Sequence, residues 1–351
     1  MIRKINKFII ICKNGELLND IFNFSLIPKI SAIVILYNSE LSIKTAIRSI
    51  QNQKMIDIEI LIIDDNSSDN SLEVIEKLEK KDKRIKIIKN KQNRGCLYSR
   101  SIGALNAKGK YIMALDSDDL FISKDIFNIC YKEVEENNLD ILEFSGFTVK
   151  KYILKLNNQL PEIAHYLKFK QHNLYIKQPE LFDFLYLKNG SKIIRRVDGY
   201  MWGKCLNSKI YVKALNILGE KIYERYHNFG EDRIVNFVLF RIAKSFKYIE
   251  EYGILYLNNS LSICNSYKKE LLASDELFNI MSILNFTKNT SYLSIPAYEI
   301  KHRWKHIIKP GLNEDNKKIL KYIINILLIS KHIKKNEKNK LKKYLEELQN
   351  Q

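Results

Sequence analysis

The chain has 351 residues, 46% of them hydrophobic and 11% aromatic, which is enough to bury a sizeable core and excludes a disordered polymer. Its formal charge of +18 would suit nucleic acid or an acidic membrane surface, yet residues 301–351 alone hold 14 Lys/Arg against 5 Asp/Glu, and no nucleic-acid-binding motif occurs. The five cysteines, Cys12, Cys96, Cys130, Cys205 and Cys264, are scattered without a CxxC pair, which argues against a disulfide framework or zinc site and for a reducing compartment.

Residues 1–28 read as a short extension ending at Pro28, with an apolar run, FIIIC (8–12), shorter than a signal-peptide core of about 7–15 residues. KISAIVILY (29–37) is an apolar run of buried-strand length, and residues 40–53 place apolar side chains at 41, 43, 46, 47 and 50, a helical period. IEILIID (58–64), RIKIIKN (84–90) and GKYIMALD (109–116) read as further strands, separated by helices over 69–82 and 95–107. This alternation predicts a parallel α/β sheet with helices on both faces. Beyond 146 the pattern is less regular: loop and helix over 150–195, helices within 200–217 and 231–246, a strand and turn over 248–263, and basic amphipathic helix from about 270. The apolar run YIINILLIS (322–330) is well short of the ~20 residues of a membrane span.

Polar residues cluster just behind the strand ends: Tyr37, Asn38 and Glu40; then Asp64, Asp65, Ser67, Ser68 and Asp69; then Asp116, Asp118 and Asp119. In open α/β sheets ligands gather beyond the carboxyl ends of the strands, so these clusters should converge. A D-x-D at a strand end offers hard oxygen donors to Mg²⁺ or Mn²⁺. The same letters arise from acidic turns and helix N-caps, or from an aspartyl-phosphatase D-x-D-x-[TV], against which Leu120 counts. Downstream, Glu231 and Asp232 open a helix, where carboxylates also serve as dipole-stabilised caps. Trp202 could face a sugar or equally belong to the core, Lys204 could reach a phosphate or hydroxyl, and the six histidines are isolated, His227 lying four residues before Glu231.

The blocks YNSE, IIDDNSSDNS, NRG…SRSIG…AKGKYI and DSDD, in this order and spacing, resemble the family 2 glycosyltransferases over about residues 30–122. The resemblance implies a GT-A fold, a Rossmann-like mixed sheet flanked by helices, over 29–265. Residues 29–145 would be its nucleotide-sugar half and 146–265 its acceptor half, followed by a basic helical region at 266–351. It further implies inverting transfer of a sugar from a nucleotide-diphosphate donor, UDP-linked, to a hydroxyl of a glycan, lipid or protein acceptor, assisted by Mn²⁺ or Mg²⁺. Tyr37, Asn38, Glu40, Asp65, Arg100 and Asp116 would then bind the nucleotide sugar, with Asp65 on the base and Arg100 near base or ribose. Asp116 and Asp118 would hold the metal, Asp232 rather than Glu231 would be the general base, and Trp202 and Lys204 would meet the acceptor. Asp119 is expected to support its neighbours or to cap the following helix. The family's A-R-N reads Ser99-Arg100-Ser101 here, which keeps the arginine and loses the asparagine. A noncatalytic nucleotide-binding or scaffold protein of the same fold is the alternative. A cytoplasmic protein is expected, with the basic tail as its candidate contact with a membrane surface. The sequon at Asn66 agrees with that setting, since a glycan there would block the expected pocket.

Overall fold

The structure is a computed structural model and describes residues 27–149, 163–167, 174–178, 181, 186–189, 192–195, 200–257, 269–287, 290, 292, 294–308, 312–331 and 333–349. Residues 1–26 of the expected extension at 1–28, much of 150–199 and most of the closing segment 256–263 lie outside these residues.

The first half follows the predicted alternation: β1 (Ile30–Leu36), α1 (Ile43–Gln51), β2 (Ile58–Asp64), α2 (Ser71–Glu79), β3 (Ile85–Lys89), α3 (Cys96–Asn106) and β4 (Tyr111–Asp116). β1 pairs in parallel with both β2 and β4, and β2 with β3. Successive side chains of a strand point to opposite faces. Thus Ala32, Val34, Ile60 and Ile62 enter one core with Ile43, Ala46, Ile47 and Ile50 of α1, while Ile33, Leu61 and Ile63 enter the other with Leu97 and Ala104 of α3. Burial on both faces explains why these strands read as continuous apolar runs.

The second half departs from a parallel sheet. A short β5 (Leu120–Phe121) and α4 (Ile126–Glu136) lead to β6 (Ile141–Val149). Within 150–195, where loop and helix were expected, the described residues form short strands: β7 (Ile163–Leu167), β8 (Tyr175–Lys177), and the hairpin β9 (Tyr186–Asn189) with β10 (Lys192–Arg195). β11 (Lys204–Asn207) precedes the expected helix, α5 (Ser208–Leu218), and is followed by α6 (Glu220–Tyr223), α7 (Glu231–Ile242) and β12 (Ser245–Leu257). The sheet runs β3-β2-β1-β4-β11-β6-β12-β5, with β7 beside β6 and β8 beside β12. β11 is antiparallel to both β4 and β6, so the sheet is mixed.

The last part is helical as expected: α8 (Lys269–Thr287), α9 (Ser294–Ile308), α10 (Glu314–Ile329) and α11 (Lys335–Gln349). These helices share a core of their own that includes Leu277, Ile280, Ile300, Leu320 and Ile324, while Ile283 and Ile295 join the core between α3 and α7. No helix among the described residues is long and apolar enough to cross a membrane. Cys96, Cys130 and Cys205 are unpaired.

Two glycines set the placement of α3. A Cβ on Gly103 would stand 2.5 Å from Ile33 Cγ2, so glycine lets the helix lie close against β1. Gly95 precedes the helix at φ +85, and a Cβ there would meet the backbone N and O of His227 at 2.9 Å. Gly95→Ala therefore combines a left-handed strain with a backbone clash. It is expected to lower stability by about 1–3 kcal/mol in urea denaturation. An unchanged midpoint would show that the 227–228 segment does not press on α3.

Candidate active site

The loops behind β1, β2 and β4 are laced together, as the strand-end clusters required. Asn38 adopts a left-handed backbone (φ 46), which asparagine tolerates better than most residues. Its amide donates to Ser67 Oγ (3.1 Å) and its Oδ1 accepts from the Ser68 amide (2.8 Å). Glu40 Oε2 accepts from both Asn70 N and Nδ2, and the Glu40 amide donates to Asp69 Oδ2. The hydroxyls of Ser39 and Ser117 stand 2.7 Å apart and join the first loop to the acidic one. Asp64 and Asp69 take turn roles, accepting from the amides of Ser67 and Ser71. Tyr37 remains exposed at the rim.

Asp65 is buried at the start of this rim. Its Oδ1 accepts from Asn90 Nδ2 (2.7 Å) and the Arg94 amide (2.9 Å), and its Oδ2 from the Gly95 amide (2.8 Å). A carboxylate has about four acceptor positions. Three are used to seat the start of α3, which leaves one on Oδ2.

Arg100, one turn into α3 and 5% exposed, gathers the other acidic residues. Its Nη1 lies 2.6 Å from Glu231 Oε1 and 2.5 Å from Asp232 Oδ1, and its Nη2 lies 2.9 Å from Asp116 Oδ1. The guanidinium thus joins the end of β4 to the start of α7. The sequence suggested base or ribose for this arginine; its position is among the carboxylates. Burial, and after it the charge of Asp232, pushes Glu231 up to about 8, against the opposing pull of Arg100. Asp232 is also raised, first by burial. Asp232, the more accessible of the two with 17% side-chain exposure against 8%, is the better placed to accept a proton from outside. Its Oδ2 also accepts from the Met201 amide at 3.2 Å.

At the end of β4, Asp116 and Asp118 are partly exposed, whereas Asp119 is fully buried. Asp119 Oδ1 accepts from the Leu257 amide (2.9 Å), tying the acidic loop to β12, and its Oδ2 is buried without a hydrogen-bond partner. It caps no helix, since α4 begins only after Asp125. Among the described residues no group of three or more His, Cys, Asp or Glu side chains is arranged to hold a metal ion by itself. Two rim carboxylates backed by an orphaned acidic oxygen instead suit a hard divalent cation that completes its shell with a ligand's oxygens.

Trp202 and Lys204 are both buried. Lys204, 2% exposed, lies 3.2 Å from Glu143 Oε2 and donates to the Tyr200 carbonyl. Trp202 stacks between Tyr200 (ring centroids 4.6 Å apart) and Tyr256 (5.3 Å). The exposed ring of this stack is Tyr200, 43% accessible, a residue that sequence reasoning did not single out. Tyr226 was missed as well. It is exposed, its hydroxyl accepts from Asn228 Nδ2 (2.8 Å), and after burial its phenol is raised by the fields of Cys96, Tyr37 and Asp65. No periodicity or motif marked either tyrosine.

Two outcomes are expected. Arg100→Met leaves three carboxylates crowded without a cation and should cost about 3–5 kcal/mol in chemical denaturation. Because the folded state raises Glu231 above its unfolded value near 4.5, the associated stability is complete below pH 4.5 and is lost as pH rises through about 8. Wild type should therefore lose stability relative to Glu231→Gln across that window. Parallel pH profiles for the two proteins would contradict the assignment.

Residues 31–184 match the family model for glycosyl transferase family 2. The chain is 30% identical over 238 residues to an uncharacterized glycosyltransferase, EpsJ, of Bacillus subtilis, covering 68% of this chain and 63% of that one. It is 28% identical over 267 residues to a cholesterol galactosyltransferase of Borreliella burgdorferi, covering 74% and 70%. The chain thus spans roughly two thirds of the length of these curated relatives. Among solved structures, S. aureus TarS 1-349 in complex with UDP-GlcNAc superposes with a TM-score of 0.63 at 15% identity, covering 91% of this chain and 89% of that one. The complex of the same protein with UDP gives 0.61 at 16%. These likenesses show a shared fold. With the family match lying over the strand-end clusters and Arg100, the chain belongs to glycosyl transferase family 2.

Proposed function

We propose that the chain transfers a sugar from a nucleoside-diphosphate donor, UDP-linked, to an acceptor hydroxyl with inversion at the anomeric carbon. The observation that carries this reading is the Arg100 cluster, which brings Asp116 of the D-x-D to the Glu231–Asp232 pair across more than a hundred residues of chain. TarS structures with UDP and UDP-GlcNAc support the choice of donor, as far as a shared fold can.

The base would lie by Tyr37 and Asn38, with the remaining acceptor position of Asp65 receiving the imide N–H of uracil. A site built to pair a polar group discriminates strongly against a partner that lacks it. Asp232 accepts the proton of the acceptor hydroxyl as its oxygen attacks the anomeric carbon. The bond from that carbon to the diphosphate oxygen breaks, and its electron pair leaves with the nucleoside diphosphate. Arg100 keeps Asp232 oriented, and its Nη1, shared by Glu231 and Asp232, offsets the repulsion between the adjacent carboxyls. Asp116 and Asp118 would hold Mg²⁺ or Mn²⁺, which when bound supplies positive charge for the leaving diphosphate. The exposed face of Tyr200, beside the Met201 amide that binds Asp232, would stack on the acceptor sugar. The acceptor itself is a glycan, lipid or protein hydroxyl, and the basic helical region is a candidate contact with an anionic membrane.

Three measurements test this reading. A panel of nucleotide sugars with Mn²⁺ should raise the melting temperature, UDP-sugars most, by mass action. Asp118→Ala should retain its fold, lose metal dependence and fall at least about 10²-fold in UDP release. Asp232→Asn should lower kcat by about 10²–10⁴-fold with donor binding retained. Wild-type turnover in either variant would refute the role given to that carboxylate.

A further inference from the structure

The segment 227–230, just before Glu231, is clamped from two sides. On one side it covers the start of α3: Asn228 Oδ1 accepts from the Cys96 amide (2.7 Å) and the His227 carbonyl from the Leu97 amide (3.2 Å). On the other it is bound by α8, which belongs to the helical region. Asp275 Oδ2 accepts from the amides of Asn228 (3.3 Å) and Phe229 (3.1 Å), while Asn279 Nδ2 donates to the Phe229 carbonyl (3.1 Å). His227, with no exposed surface, stands between them: Nδ1 is 3.0 Å from Asp275 Oδ1 and Nε2 is 3.1 Å from Asn279 Oδ1. Asp275 and Asn279 are four residues apart and so share one face of the helix. Just past the segment, Arg233 of α7 reaches Glu276 (2.6 Å) and Glu299 (3.6 Å) on the same helical region.

An apolar contact would be enough to attach a helical appendage. Buried polar groups of this kind are costly when unpaired, and the hydrogen bonds that Asp275 and Asn279 make to the 228–229 backbone specify one geometry there. Their contacts here converge on the backbone that sets the position of Glu231 and Asp232. We infer that Asp275 and Asn279 are positioning residues for sugar transfer: through His227 and the 228–229 backbone they fix where Asp232 meets Arg100. The helical region is on this view part of the active site. The inference rests on the transfer reading above.

The test is UDP release by the full chain, with kcat and donor KM measured well below each variant's melting temperature. Asp275→Asn keeps the side-chain volume but removes the charge and one acceptor oxygen. It should lower kcat by about 10–10²-fold, the scale of a misplacement of about 1 Å, with donor KM within about threefold because Asp65 keeps its three hydrogen bonds. Asn279→Ala is the second variant, should Asp275→Asn fail to fold, and should act in the same direction. The control is Glu347→Gln, which alters the acceptor of Trp304 Nε1 (2.8 Å) between α9 and α11, away from the segment. It should leave kcat unchanged whatever its melting temperature. A purely structural role would lower the melting temperature of Asp275→Asn and leave kcat per folded molecule at the wild-type value, which overturns the inference alone. Wild type that releases UDP from no donor sinks the transfer reading and this inference with it.

Discussion

A buried guanidinium shared among three carboxylates is the constraint on which the site depends. Burying Arg100 and Glu231, and part of Asp116 and Asp232, is tolerable because each has a partner within hydrogen-bonding distance. Satisfying that requirement fixes several elements at once. α3 must lie close against β1 and begin where Gly95 allows, so that Arg100 points inward. β4 must end at Asp116, and α7 must begin opposite it. The acidic crowding in DSDD, which looks costly as a string of letters, is balanced partly from within the chain and partly, on the proposed reading, by a divalent cation held on its outer side.

The same economy of partners recurs around the rim. Asp65 spends most of its acceptor capacity on the residues that start α3, so the carboxylate proposed to read a base also anchors the helix that carries Arg100. Asp119 stitches the acidic loop to β12, and Ser39 with Ser117 joins it to β1. A disturbance in any of these loops would be felt in the others. Such coupling suits a reaction that depends mainly on holding donor, acceptor and base in register.

Much of the first half was legible because its strands are buried on both faces and its helices follow an apolar period. Ile43, Ala46, Ile47 and Ile50 of α1 are a clear case, and they are the buried residues of that helix. The second half was less so. Short strands such as β11, with four residues, carry too little pattern to distinguish from loop, and β8 alternates exposed and half-buried positions at the side of the sheet. Trp202 was ambiguous for a related reason: a tryptophan can face a ligand or be enclosed, and only its neighbours, Tyr200 and Tyr256, decide. Lys204, expected to reach a phosphate or hydroxyl, is enclosed beside Glu143. The buried acidic residues of α8 were not singled out, because an acidic pair on a helix reads as a solvated face until its partners, His227 and Arg233, are seen beside it.

By itself the sequence determined the order of strands and helices to residue 116 and the kinds of groups at the strand ends, because local periodicity and turn chemistry act over a few residues. The tertiary structure decided which of those groups meet. The insertion of β11 antiparallel between β4 and β6 brings α7 to the end of β4, and the packing of α8 on α7 brings Asp275 and Asn279 to the 227–229 backbone. Pairings across 131 residues of chain, such as Arg100 with Glu231, depend on that topology, and no local pattern records it.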